Sequence, residues 1–143
     1  SGVIRTTARF SLCLFLFQLI SASVIMSSAF DIVDKANRRF EELFNGGQLD
    51  QLAALYTENG RLLPPDKNKY EGREEIKAFW QGARAAGVDH LRLTTGTVEE
   101  AGNDSLIETS SYQHALDKGN YQVIWKRSAE KNDQWQLHID IFN

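Results

Sequence analysis

His138 and Asp140 stand two residues apart in the segment Trp135-Gln136-Leu137-His138-Ile139-Asp140-Ile141-Phe142-Asn143. The segment alternates apolar and polar residues, and successive side chains of a strand point to opposite faces. On that alternation Trp135, Leu137, Ile139 and Ile141 share one face, and Gln136, His138 and Asp140 share the other. An imidazole beside a carboxyl group is acid–base chemistry. Asp140 would orient or charge His138, or act as a base itself once desolvation raised its pKa. A second row, Glu108, Ser110, Tyr112 and His114, brings a carboxylate, a phenol and an imidazole into register on another strand. Tyr121, Val123, Trp125 and Arg127 follow on a third. Parity leaves two placements for each row: inside, facing a hollow, or outside, facing solvent or a partner subunit.

Other chemistries lack their residues. The one cysteine, Cys13, allows no intrachain disulfide and no thiolate cage. His90, His114 and His138 do not have the spacing of a helical metal pair, so no metal is expected. There is no glycine-rich phosphate loop and no G-x-S-x-G elbow, so no cofactor is expected either. With 16 Lys and Arg against 19 Asp and Glu the net charge is −3, and Arg38-Arg39 and Lys126-Arg127 are short, scattered pairs. Nucleic acid is therefore not an expected partner, because phosphate binding needs a basic face.

The elements that must position these residues are helices first and strands last. From Phe30 to Phe44 the residues Val33, Ala36, Phe40 and Leu43 recur at helical spacing, and Asn45-Gly46-Gly47 stops the helix. Ser28 and Asp31 have the spacing of a capping box. Leu49, Leu52, Leu55 and Tyr56 form the stripe of a short second helix, and Gly60-Arg61-Leu62-Leu63 a brief strand ended by Pro64-Pro65. A third helix opens at Glu71-Gly72-Arg73-Glu74-Glu75, buries Ile76, Phe79, Trp80 and Ala83, and closes at Gly87. Strands follow over His90–Ala101, Ser105–Leu116, Tyr121–Ser128 and the final segment, joined by tight turns, as in an antiparallel meander. The class is α+β, three N-terminal helices on a curved, mainly antiparallel sheet.

Residues 1–29 read as separate from the domain at 30–143. Arg5 and Arg9 precede the apolar run Phe10 to Ile20, and small residues follow at Ser21-Ala22-Ser23 and Ser27-Ser28-Ala29, the layout of a secretory signal. The run is too short, and too interrupted by Gln18, for stable membrane insertion. Alternatively, translation starts at Met26, the only methionine, and the upstream stretch is spurious. The protein is secreted on the first reading and cytoplasmic on the second.

Three stretches carry a family resemblance: Phe44-Asn45-Gly46-Gly47-Gln48-Leu49-Asp50-Gln51-Leu52-Ala53-Ala54-Leu55-Tyr56, then Tyr70 to Trp80, then Gly119 to Arg127 with Trp135 to Asn143. Together they resemble the nuclear transport factor 2-like (cystatin-like α+β cone) superfamily, in its SnoaL-like, or domain of unknown function 4440, branch. The resemblance implies that the sheet curves strongly into a cone enclosing a pocket. It also implies a departure. Where ketosteroid isomerases place an oxyanion-donating tyrosine and a general-base aspartate, this chain has Phe40 and Pro64, so that isomerisation mechanism is not expected.

The expected function is binding of a small, largely hydrophobic molecule in the cone, with cofactor-free proton transfer of the isomerase, cyclase or dehydratase type. Asp140 would be the base, and His138, Glu108 and Tyr112 acid or orienting groups. Tyr56, Trp80 and Trp125 would form the apolar wall. The alternative is a non-catalytic homodimer, joined through the sheet, that serves for ligand binding or assembly. Dimerisation suits both, since a sheet with two apolar faces needs a second cover.

Overall fold

The computed structural model describes residues 28–143. The reading of residues 1–29 as a leader or spurious extension falls almost wholly outside them. Helix α1 (Ala29–Asn45) opens with the Ser28 hydroxyl accepting from the Asp31 amide at 3.1 Å, which satisfies one of the donors a helix start leaves free. It closes as its glycines suggest: Gly47 has φ +71°, and the Gly47 and Gln48 amides bond back to Phe44 and Leu43. Helix α2 (Leu49–Ala53) is one turn long, and α3 (Arg73–Ala85) is the third.

The strands are β1 (Tyr56–Leu63), β2 (Tyr70–Glu71), β3 (Arg92–Glu100), β4 (Ser105–Gln113), β5 (Lys118–Ser128) and β6 (Gln134–Phe142). They form one curved, open sheet in the order β2-β1-β6-β5-β4-β3. The meander from β3 to β6 is antiparallel, whereas β1 and β6 pair in parallel, so the sheet is mixed. The helices cover its concave side. Val33, Phe40 and Phe44 of α1 and Ile76 and Trp80 of α3 meet Leu106, Val123, Trp125 and Leu137 in one core.

Two differences from the sequence reading move a site residue. Tyr56 begins a strand rather than ending a helix. Leu49, Leu52, Leu55 and Tyr56 do have helical spacing, but the helix stops at Ala53, and Tyr56 pairs with Leu137 of β6. The other difference is in β6. Opposite β5, Ile124 pairs with Ile139 but Trp125 with Leu137, which leaves His138 as an extra residue, a β-bulge. Alternation restarts beyond it. Leu137 and Asp140 therefore both turn inward, while Ile139 and Ile141 turn to the outer face.

Candidate functional site

Asp140 sits at the centre of the concave face, 6% exposed. Its Oδ2 accepts from the Tyr56 hydroxyl at 2.7 Å, and the Trp80 indole N–H donates to that hydroxyl at 3.3 Å. Strand β1 supplies the tyrosine because Tyr56, wholly buried, and Leu62 both point under the helices. Burial pushes the Asp140 carboxyl up to about 7; the Tyr56 bond pulls it back in part, and the nearby Glu108 charge pushes it further up. The Tyr56 phenol is driven well above its ordinary value by burial, then by Asp140.

Glu108 is the second buried carboxylate, wholly shielded from solvent. Its Oε2 accepts from Asn37 Nδ2 at 2.5 Å, Ser110 Oγ at 2.7 Å and Tyr121 OH at 2.8 Å, and its Oε1 from Trp125 Nε1 at 3.0 Å. An ionised carboxylate only accepts, and here every neighbour can donate. Behind this set, Asn37 also donates to Thr95 Oγ1, and the Gly96 amide donates to Ser110 Oγ. Burial, with the Glu108 charge, moves the Tyr121 phenol far above its ordinary range.

Between the sheet and α1 and α3 lies a hollow of about 120 Å³. Its wall is mostly apolar and aromatic: Phe40, Phe79, Trp80, Ala83, Val88, Leu91, Leu93, Val123, Leu137 and Phe142. Five polar side chains reach it, Asn37, Tyr112, His114, Tyr121 and Asp140. A cavity of this order holds about one six-membered ring.

The expected site residues are thus divided by the fold. Asp140, Tyr112 and Trp80 line the hollow. Tyr56 lies directly behind Asp140, and Glu108 and Trp125 lie behind the wall, bonded to each other. Trp125 is 2% exposed and forms core, not the expected ligand-facing wall. Tyr112 donates to the Asn143 carbonyl, and its phenol is raised by partial burial and by Asp117. His138 does not join Asp140. The bulge turns it away to Thr57, whose Oγ1 shares a 2.8 Å hydrogen bond with its Nδ1, and partial burial with Lys126 and Arg61 lowers its pKa.

Asn37 escaped the sequence reading. It stands four residues after Val33 and three before Phe40, on the apolar stripe of α1, and a polar residue in that register was the available signal. Tyr121 was placed on a strand face but given no role.

The curved sheet with helices across its mouth defines the nuclear transport factor 2-like, cystatin-like architecture. A domain of unknown function with a cystatin-like fold from Nostoc punctiforme shares it at TM-score 0.68, with 18% identity over 82% of this chain and 78% of that one. A ketosteroid isomerase-like protein from Erwinia carotovora atroseptica does so at 0.66, with 16% identity over 82% and 96%. A nuclear transport factor 2-like protein from Novosphingobium aromaticivorans matches at 0.66, with 13% identity over 86% of each chain. No curated protein matches. Within this architecture the SnoaL-like domain matches residues 37–132, and the chain belongs to that family.

Proposed function

We propose that the chain binds a small, largely hydrophobic molecule in the hollow and that Asp140 exchanges a proton with it. One observation carries this reading: a buried carboxyl group, held at about 7, borders an apolar space of ring size. A group with that acidity is divided between its two forms near neutrality, which suits proton transfer. The ketosteroid isomerase-like neighbour supports small-molecule chemistry on this fold. Its namesake mechanism is not carried over, because Phe40 lines the hollow without a hydroxyl.

Single-ring probes test this. Toluene, benzyl alcohol or benzylamine should raise the melting temperature by linkage, and Ala83→Phe, which fills the hollow without touching the polar network, should abolish the rise. A carbon-13 titration of the Asp140 carboxyl should shift when a probe binds. No stabilisation by any probe would remove the hollow as a site. A bound probe that left the titration unmoved would remove Asp140.

A second reading, homodimerisation through the sheet, rests on its outer face. Ile107, Ile124 and Ile139 are direct cross-strand neighbours there, with Ile141 beside them 44% exposed. Such an aliphatic row on an outer face suits a second copy as its cover.

A further inference from the structure

Apart from the proton that Asp140 carries in its acid form, every strong hydrogen-bond donor deep in the hollow is already committed within the protein. Tyr121 OH and one Asn37 N–H go to Glu108, the other Asn37 N–H to Thr95, and Tyr112 OH to the Asn143 carbonyl. Trp80 Nε1 is spent on Tyr56, whose own proton goes to Asp140. His114 is the exception. Its Nδ1 accepts from the Leu116 and Asp117 amides at 3.2 Å each, which leaves its Nε2–H free, but His114 is only half-buried and stacks on Tyr112. The acceptors are in the opposite condition. No donor among the described residues reaches Asp140 Oδ1 or Asn37 Oδ1, and neither atom is sealed off without a partner.

Charge points the same way. Among the described residues no lysine or arginine lines the hollow, while Asp140 lines it and Glu108 stands behind it. The arginines next in sequence to its lining residues Ala83 and Asn37 are occupied: Arg84 donates to the Phe44 carbonyl at 2.6 Å, and Arg38 donates to that of Leu93. The wall is also rich in ring faces and edges. Phe40 and Phe79 meet Trp80 edge-on at 5.7 and 5.0 Å, and Phe142 stacks on it at 5.9 Å.

A cavity with spare acceptors, no deep donor free beyond the acid form of Asp140, carboxylates and aromatic rings suits one kind of polar group. An oxyanion or carboxylate would meet like charge from Glu108 and from ionised Asp140, and only the acid form of Asp140 could donate to it. An alcohol would supply one donor and no charge. An organic ammonium supplies several donors, a counter-charge for Asp140, and a cation for the ring quadrupoles. We infer that the ligand of this hollow is a protonated amine on an apolar body of about one ring, its nitrogen set between Asp140 Oδ1 and Asn37 Oδ1 and its body among Phe40, Trp80 and Phe142. This deepens the function proposed above and rests on it.

Three isosteric probes decide it: benzylamine, benzyl alcohol and benzoate, measured by calorimetry on the full chain at neutral pH. Benzylamine should bind about tenfold more tightly than benzyl alcohol, and benzoate should bind more weakly than either. Asp140→Asn keeps an acceptor for Tyr56 and should erase the amine preference while alcohol binding remains. Phe40→Leu, which removes a ring at similar bulk, should weaken benzylamine more than benzyl alcohol and covers the case in which Asp140→Asn folds poorly. Equal or tighter binding of the alcohol by the native chain would overturn the ammonium assignment and leave the hollow as a site. Failure of all three probes would overturn both.

Discussion

Asp140 and Glu108 are both buried acids, yet their surroundings set them to different tasks. Asp140 has one donor, Tyr56, and faces apolar space, so burial dominates and its carboxyl rises to about 7. An unfolded aspartate titrates near about 3.9. The folded state therefore holds a proton that the unfolded chain has lost, and this term lowers stability as pH rises from about 4 to about 7, then levels off. Asp140→Asn removes that dependence. Its melting temperature should match or trail that of the native chain at pH 4 and exceed it at pH 8, by on the order of 2 kcal/mol in unfolding free energy. Glu108 behaves differently on substitution, because both of its oxygens meet an N–H, from Asn37 and from Trp125, and the Trp125 indole can only donate. In Glu108→Gln the amide nitrogen must either face the Trp125 N–H or oblige the Asn37 amide to turn over, which should cost about 1–3 kcal/mol in a denaturant titration. The Glu108 row was legible from strand alternation. Its donors were not, because Asn37 comes from a helix whose meeting with β4 no local pattern records.

At the scale of elements, periodicity identified the helices and the meander, and it failed where one residue changes the count. The alternation of Trp135 to Ile141 is regular in the sequence, but the bulge at His138 reverses it halfway. Nothing in the residue types marks where a strand will carry an extra member; that is set by pairing with β5. Tyr56 was misplaced for a related reason, since Leu52, Leu55 and Tyr56 satisfy a helical period that the chain abandons at Ala53. Glycines at two positions make this frame testable. Gly96 lies at the irregularity between β3 and β4, and a Cβ there would come within 2.3 Å of the Thr109 carbonyl oxygen. Gly96→Ala should destabilise by about 1–3 kcal/mol and loosen amide protection along β3, because the obstacle is backbone. Gly82, inside α3, would meet nothing within 4 Å. Gly82→Ala should stabilise by about 0.5–1 kcal/mol through helix propensity and reduced unfolded-state freedom, read in the same melts.

At the scale of the molecule, the order of helices and strands announced the α+β class, and the resemblance supplied the cone. The parallel pairing of β1 with β6 was not foreseen, because it joins segments at opposite ends of the domain with no turn between them. The outer face of that sheet bears the aliphatic row Ile107, Ile124 and Ile139. If a second copy covers it, Ile124→Lys with Ile139→Lys should convert a dimer to a monomer in sedimentation while leaving the circular dichroism spectrum intact. An unchanged mass would exclude this face as the contact.

The bond from Tyr56 to Asp140 spans 84 positions of the chain. Its acceptor lies in β6, which slots between β1 and β5. Until that strand docks, the aspartate is hydrated and ordinarily acidic. The weak acid at the centre of the hollow is thus made by assembly, and a chain that closes its sheet at pH 6 must draw a proton from the surrounding water as it does so.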